Sequence, residues 1–203
     1  YISSELDLSD KEQGLKIIQT SEFPYKGHSE IKILNSNNKE TIIYFRIPSW
    51  DQKTKILIND ELINYKTFNG YAKIYRKWKA GDKIELKFDF TPRFVRTNPN
   101  VRYNIRKASI FRGPILYCLE EIDNGKNLNR FVIDSNNSFN EKEDKINSEN
   151  IISLSINGSK FDDTNELYIK DKPNLSDAYL KFIPYYLWSN RGENEMLVWI
   201  NEK

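Results

Sequence analysis

The sequence predicts an all-β protein made of two consecutive antiparallel β-sandwich domains of jelly-roll-like type. Short segments rich in β-branched and aromatic residues recur with turn signals about every 8–12 residues, as in β-sandwiches. No segment sustains the 3.6-residue apolar period of a helix. A stretch with two prolines, residues 91–99, interrupts this rhythm near the middle of the chain. We therefore place a linker at residues 1–14, the first sandwich at 15–98 and the second at 99–203.

The strands of the first half are predicted from alternation and β-branched content. The clearest is segment 83–90, in which Ile84, Leu86, Phe88 and Phe90 share one face. The same reasoning gives the remaining strands of this half, which are residues 15–20, 30–34, 41–47, 55–58 and 70–78.

The second half begins with an apolar stretch, 107–119, that Gly113-Pro114 divides, which predicts two strands around a bend. Residues 134–149 are polar and almost without apolar side chains, which predicts a long loop. Further strands are predicted at 131–133, 151–156, 166–170 and 179–183.

The last aromatic segment, residues 182–199, is predicted to be a hairpin. Strand-favouring residues lie on both sides of the turn Ser189-Asn190-Arg191-Gly192. The run 196–200 is apolar and fits a buried strand. The aromatic residues here either close the core of the domain or offer sugar-stacking faces, and the sequence leaves both alternatives open.

Composition excludes several classes of function. The net charge is +2 and the two signs are interspersed, which argues against a nucleic-acid surface. No apolar run approaches the ~18 residues of a membrane span. The single Cys118 and single His28 exclude an internal disulfide and a zinc site built mainly from Cys and His. No leader peptide is visible and the chain starts at Tyr1 rather than Met, so we expect a piece of a longer polypeptide whose location, cytoplasmic or secreted, stays open.

No residue in the sequence is predicted to be catalytic. Cys118 lies among apolar residues and is interpreted as a buried structural thiol, far in sequence from His28. Glu120 and Glu121 follow an apolar strand, but adjacent strand residues face opposite sides and cannot converge on one bond. We interpret them as a solvated strand end. Serine-hydrolase elbows and glycine-rich phosphate loops are absent from the sequence.

Exposed aromatic residues are the best binding candidates. Trp50 follows a proline at a predicted strand end, and Trp78 precedes a tight turn. Tyr185, Tyr186 and Trp188 flank the turn of the last predicted hairpin. Each of the five could contact carbohydrate or cap a core, because aromatic rings serve both purposes.

Five segments in order resemble one family of enzymes. They are Gln19–Tyr25 (QTSEFPY), Phe45–Trp50 (FRIPSW), Gly70-Tyr71 with Trp78–Asp82 (WKAGD), Arg112–Glu120 (RGPILYCLE) and Ile183–Gly192 (IPYYLWSNRG). In this order and spacing the chain resembles the C-terminal part of the β-L-arabinofuranosidase-like glycoside hydrolases, family 127 and its relatives.

The resemblance implies an architecture and a role. In that family a catalytic (α/α)6 barrel precedes two β-sandwiches, so residues 1–14 would lead from a barrel absent from this sequence. The family's cysteine nucleophile, its zinc held by three cysteines and a glutamate, and its carboxylate acid/base belong to that barrel. None maps here, and Cys118 falls in a motif of the last domain. We therefore expect no cofactor in this chain and a supporting role in a bacterial plant-glycan hydrolase.

The resemblance also implies partners. The barrel of the same polypeptide is the first, and a second copy of the chain, giving a homodimer, is another. An autonomous carbohydrate-binding module that uses its exposed aromatic residues is the alternative function, and a purely structural interface module is a third.

Overall fold

The computed structural model describes residues 1–51 and 53–203, which divide into two compact units, Tyr1–Thr91 and Pro92–Lys203. The division falls earlier than the predicted boundary between residues 98 and 99. Strand β10 (Arg93–Val95) explains the difference, because it pairs antiparallel with β11 (Lys107–Arg112) and so belongs to the second unit.

The first unit is a pair of sheets. Its strands are β1 (Ser4–Leu8), β2 (Leu15–Ser21), β3 (His28–Ser36), β4 (Glu40–Arg46), β5 (Lys55–Ile58), β6 (Glu61–Ile63), β7 (Thr67–Phe68), β8 (Tyr71–Lys77) and β9 (Lys83–Lys87). One sheet has the order β1-β2-β3-β9-β5-β6 and the other the order β4-β8-β7. Every pair in both sheets is antiparallel.

Alternating apolar side chains hold the two sheets together. On β9 Ile84 and Leu86 are fully buried while their neighbours are not, and Phe88 and Phe90 continue the same side. From the opposite sheet β4 and β8 supply Phe45, Ala72 and Ile74 to the same core. One apolar face from each sheet therefore forms a sandwich core, as the alternation of segment 83–90 predicts.

Residues 1–14 are not merely a linker. Strand β1 pairs with β2 over its whole length, from Ser4 opposite Gln19 to Leu8 opposite Leu15. The side chains of β1 are mostly exposed, which explains why its apolar pattern is weak in the sequence. Backbone pairing at a sheet edge needs no buried side chains, so a polar segment can still form a strand.

The second unit contains the remaining strands. In chain order they are β10, β11, β12 (Ile115–Glu120), β13 (Phe131–Ile133), β14 (Asn140–Ile146), β15 (Glu149–Phe161), β16 (Leu175–Pro184), β17 (Met196–Leu197) and β18 (Ile200–Glu202). The helix α1 (Glu121–Asn124) follows β12 and spans four residues. The all-β fold class is therefore confirmed, whereas the jelly-roll connectivity stays a prediction.

Six strands of the second unit close a hydrogen-bonded circuit. Strand β11 pairs with β12, β12 with β16, β16 with β15, β15 with β13, β13 with β18, and β18 with β11. The β13–β18 pair is parallel and the others are antiparallel, so the sheet is mixed. All six strands supply side chains to one buried cluster, which includes Tyr117, Leu154 and Phe182. The circuit therefore surrounds its core as a small barrel does.

Three predictions for this unit are wrong. Residues 140–146, assigned to a loop, form β14, which pairs with β15 as a charged outer strand with only Ile146 buried. Residues 166–170, assigned to a strand, lie between β15 and β16, with Leu167 and Tyr168 almost fully exposed. The predicted hairpin at 182–199 is absent, because β16 and β17 each pair with β12 instead of with each other.

Among the residues that the structure describes, no helix is long and apolar enough to cross a membrane.

Acidification should destabilise the first unit through Glu85. Hydrogen bonds from Lys83 and Lys87 lower the pKa of Glu85 from its ordinary value of 4.5 to about 2. A lowered folded pKa contributes stability above pH 4.5 that is lost as the pH falls towards 2. We expect the urea midpoint to fall less between pH 6 and pH 3 in Glu85→Gln than in the unchanged chain. The control Glu61→Gln, at an exposed β6 position, should behave as the unchanged chain.

Candidate functional site

A buried carboxylate at the end of β12 is the centre of the candidate site. Glu120 is fully buried, although the sequence predicted a solvated strand end. Its neighbours Tyr117 and Leu119 face the barrel core, whereas Glu120 lies on the outer side and is covered by segment 189–194. The backbone N–H of Ser189 donates to Glu120 Oε1 at 2.7 Å, and Arg191 donates to Oε2 through Nε at 3.1 Å and also through Nη2. The prediction failed because the covering segment lies about 70 residues away in sequence.

Alternating charges extend outward from Glu120. Arg191 also donates to Asp123 on α1, with Nη1 at 3.2 Å from Oδ1. Lys181 on β16 lies 3.4 Å from Asp123 and 2.8 Å from Asp144 on β14. Hydrogen bonds to Asp123 and Glu120 outweigh the desolvation of Arg191 and raise its pKa above the usual range. The five groups therefore form one network of satisfied ion pairs, which we call the Glu120 network.

The Glu120 network adds side-chain links to those of the sheet. Strands β12 and β16 pair directly, and β14 is joined to β16 only through β15, whereas the network links β16 directly to β14 and links the end of β12 and α1 to segment 189–194. Both carboxylates nearest the centre accept hydrogen bonds from the same guanidinium. Such an arrangement fixes the position of segment 189–194 against the end of β12.

Tyr185, Tyr186 and Trp188 lie in the segment that the network anchors. All three are partly exposed, and the rings of Tyr185 and Trp188 lie 6.5 Å apart at an angle of 32°. A 3-10 turn over Tyr185–Leu187 places them, and Ser189 next to it bonds to Glu120. The structure therefore places these three predicted residues in one exposed segment of the second unit. Hydrogen bonds to Glu120 fix the turn 189–192 that follows.

The two tryptophans predicted in the first half occupy the first unit. Trp78 is fully buried, with Nε1 donating to the carbonyl of Thr41 at 3.0 Å and the Arg76 guanidinium over its ring. A buried ring has no face for a sugar, so the structure removes Trp78 as a binding candidate. Trp50 is partly buried in an aromatic cluster. Its ring is stacked on that of Phe23, with 6.4 Å between the ring centres, and is edge-on to that of Phe90, with 5.8 Å between the centres.

The one cysteine and the one histidine of the chain lie in different units. Cys118 is fully buried, as predicted, and burial with the nearby charge of Glu120 raises the pKa of its thiol to about 12. His28 is on β3 in the first unit, 3.8 Å from Glu85. Among residues 1–51 and 53–203, no group of three or more His, Cys, Asp or Glu side chains is placed to hold a metal. These residues therefore do not fit the zinc site that the family resemblance assigns to the barrel.

Cys118 should be unreactive in the folded chain. A thiol with a pKa of about 12 is protonated at neutral pH, and the thiolate is the reactive form. We expect no release of the chromophore from Ellman's reagent at pH 8 in buffer and one equivalent per chain in 6 M guanidinium chloride. The control Ser49→Cys, a partly exposed position in the first unit, should react in buffer. Rapid reaction of Cys118 in the unchanged chain would contradict its burial.

Sequence reasoning missed two features. The first is the Glu120–Arg191 pair, for which neither residue carries a local signal. The second is an exposed face on the sheet of β4, β8 and β7, where Tyr71, Lys73 and Tyr75 share one side of β8. The period-2 spacing of those three residues is visible in the sequence, but only strand pairing shows that β4 adds Tyr44 beside them.

The fold and the site define a class: an all-β region of two compact units, the second of which carries a network of ion pairs around a buried glutamate. Two family models cover almost all of the chain. The GH127 middle domain of β-L-arabinofuranosidase matches residues 1–90, and the glycoside hydrolase family 127 C-terminal domain matches residues 92–201. The chain belongs to glycoside hydrolase family 127.

Individual relatives agree with this assignment. The chain is 30% identical over 199 residues to a non-reducing end β-L-arabinofuranosidase of Bifidobacterium longum subsp. longum, a match that covers 91% of this chain and 30% of that protein. The crystal structure of a GH127 β-L-arabinofuranosidase from Geobacillus stearothermophilus T6 matches all of this chain and 32% of its own, with 32% identity and a TM-score of 0.89. A structure described as a GH127 β-arabinofuranosidase matches with 28% identity and a TM-score of 0.85, over 34% of its length. The chain thus spans about a third of the relatives it matches.

Proposed function

We propose that this chain is the non-catalytic β-region of a bacterial β-L-arabinofuranosidase-like hydrolase, and that it supports a catalytic (α/α)6 barrel in the same polypeptide. The observation that carries the proposal is the pair of family matches. They account for nearly the whole chain as the middle and C-terminal domains of a family whose members named above are about three times longer.

The chemistry of the described residues supports the same role. The thiol of Cys118 is buried and protonated, and the carboxylates of Glu120 and Asp123 are committed to Arg191. A hydrolase of the two-carboxylate type needs one carboxyl group that can give up a proton beside another that is free to act. The Glu120 network instead stabilises the position of the 185–192 segment.

The names of the relatives support a proposal for the substrate. One relative is named a non-reducing end β-L-arabinofuranosidase, and a solved relative is described as a GH127 β-L-arabinofuranosidase. We propose that the parent of this chain hydrolyses arabinose-containing plant glycans, with any zinc and all bond-breaking groups supplied by its barrel. Carbohydrate contact by Trp50, Tyr185, Tyr186 or Trp188, and a homodimer, stay predictions.

A domain replacement tests the supporting role. In the Geobacillus stearothermophilus β-L-arabinofuranosidase, the segment that matches this chain is deleted in one variant and replaced by residues 1–203 in another. We expect the deletion to lower the melting temperature and the activity on an aryl β-L-arabinofuranoside, because the surface that the barrel lays against this region becomes exposed to water. The replacement should recover the melting temperature in part.

The deletion variant gives the deciding result. If it keeps the full melting temperature and full turnover of the intact enzyme, the β-region does not support the barrel and the proposal is wrong. Arg191→Met in the replacement enzyme serves as a graded test, because loosening the Glu120 network should lower the recovered melting temperature while leaving the bond-breaking groups untouched.

A further inference from the structure

The outer face of the sheet β4-β8-β7 carries a group of exposed aromatic side chains. Tyr44 is 58% exposed, Tyr71 43%, Tyr75 59% and Phe68 79%. For the three tyrosines the following strand residue is partly or fully buried, so period-2 alternation aims these rings at solvent. Phe68 lies opposite Tyr71 in the β7–β8 register. We call this surface the Tyr44 face.

A lysine occupies the middle of the Tyr44 face. Lys73 lies directly opposite Tyr44 in the β4–β8 register, and Tyr71 and Tyr75 flank it on the same side of β8. Residues in these positions are within side-chain reach of one another. Lys73 is exposed and forms no ion pair or hydrogen bond with any described residue. The face thus offers an unneutralised cation at its centre, among three tyrosine rings.

Two other side chains of the face, Tyr75 and Arg46, are engaged in polar contacts. The hydroxyl of Tyr75 donates to Glu40 at 2.5 Å. Arg46 donates to the carbonyl of Gly70 at 2.8 Å and lies over the ring of Tyr71, with 5.3 Å between its guanidinium carbon and the ring centre. These contacts fix two of the rings and leave the ammonium group of Lys73 for a ligand.

A cleft of mixed polar and apolar lining continues the face at the Arg46 end. It has a volume of about 480 Å³, and its lining includes Ile47 and Pro48 beside Arg46, Asp51, Tyr65 and Gly70. Hydrogen bonds hold the walls of the cleft in place. The carboxylate of the buried Asp51 accepts from the backbone N–H groups of Lys53 and Asp89 and from the hydroxyl of Thr54. The hydroxyl of Tyr65 donates to the Thr54 carbonyl at 2.5 Å. Arg46 and Gly70 join the cleft to the face.

We propose that the Tyr44 face and this cleft bind an anionic oligosaccharide of the uronic acid class. A uronate carboxylate pairs with Lys73, neighbouring sugar rings lie on Tyr44, Tyr71 and Tyr75, and the cleft takes one end of the chain. At ~3.4 Å per strand residue, Tyr71 and Tyr75 are about 14 Å apart, so the ligand is extended and several sugars long.

The lysine favours a glycan over a protein partner. Lysine is depleted in the buried centres of protein interfaces, and enclosing its ammonium group under a dry protein surface is costly. A sugar chain lying on the face leaves that group partly hydrated while it pairs with the carboxylate. The proposal goes beyond the supporting role and does not depend on it, since the face is remote in sequence from the Glu120 network.

Isothermal titration of the 203-residue chain with short oligogalacturonates, in a buffer with EDTA to remove calcium, tests the assignment. We expect saturable binding that weakens as sodium chloride is raised, because salt screens the Lys73 pairing. Lys73→Gln should weaken binding about tenfold or more, since a hydrogen bond to a charged group is lost. Tyr44→Ala should weaken binding about three- to tenfold through the lost ring contact.

Matched controls separate this face from other surfaces. Lys142→Gln, an exposed lysine on β14, and Tyr103→Ala, a 91% exposed tyrosine of the second unit, should leave binding unchanged. The unchanged chain should bind fully methyl-esterified oligogalacturonate only weakly. The affinity should be similar to that of Lys73→Gln for unesterified oligogalacturonate. Absence of saturable binding, equal binding by Lys73→Gln, or equal binding of neutral arabino-oligosaccharides would each overturn the proposal. Self-association of the chain that Tyr44→Ala abolishes, without glycan binding, would assign the face to a second copy instead.

Discussion

Replacing Arg191 by methionine should destabilise the second unit by about 3–5 kcal/mol, because it leaves Glu120 buried as an unpaired charge beside Asp123. Methionine retains much of the side chain's apolar volume, so the loss comes mainly from charge. Urea unfolding gives the free energy, and hydrogen exchange with mass spectrometry should localise the lost protection to residues 92–203.

Two further variants identify the cause of that loss. Arg102→Met changes an exposed arginine of the same unit and should alter stability by less than about 0.5 kcal/mol. The double variant Glu120→Gln with Arg191→Met should be more stable than Arg191→Met alone, because it removes the orphaned charge. If the double variant is instead less stable than either single variant, Glu120 contributes through its bond to Ser189 and not through the ion pair.

Trp78→Ala should cost the first unit about 3–5 kcal/mol, the usual loss for a large aromatic side chain removed from a core. Trp78 is fully buried, and its Nε1 group satisfies the carbonyl of Thr41. The substitution therefore creates a cavity and also leaves a carbonyl without its partner. The measured change should appear in the exchange protection of residues 1–91.

Tyr103→Ala is the control for this loss, because its 91% exposed ring contributes little packing. Trp78→Phe separates the two contributions, since it fills most of the cavity but donates no hydrogen bond. A loss below about 1 kcal/mol for Trp78→Ala would mean that the ring is exposed in solution, and it would return Trp78 to the carbohydrate-binding candidates.

Local pattern predicts the elements in which side-chain burial alternates strongly. Segment 83–90 is an example, because Ile84 and Leu86 face a core while their neighbours face solvent. The bend at Gly113-Pro114 is another, since β11 and β12 form the two strands around it. In both cases the short-range sequence already contains the physical cause of the structure.

Strands held mainly by backbone pairing and surface charges are not predicted by such reasoning. Strands β1 and β14 are mostly exposed, so they have no apolar period, and each is fixed by a neighbour that does have one. Segment 166–170 shows the opposite error, because its apolar residues suggest a strand but no neighbouring strand pairs with it.

The site was predicted only where burial is local. Cys118 is flanked by apolar residues and its burial is confirmed. Glu120 lies two residues further along the same strand. Strand alternation predicts that its side chain points away from that of Glu121, but it does not predict that a distant segment covers it. The burial of the polar and aromatic residues depends on contacts that are distant in sequence. Examples are the ion pair of Arg191 with Glu120 and the hydrogen bond from Trp78 to the Thr41 carbonyl.

We propose that this chain supports hydrolysis by a barrel in the same polypeptide and does not perform it alone. The most direct test is turnover of an aryl β-L-arabinofuranoside by the purified 203-residue chain with zinc present. We expect no hydrolysis above the rate of buffer and zinc alone. Turnover that follows the chain through repurification and persists in Cys118→Ser would contradict the supporting role, because the chain would then carry a catalytic site of its own.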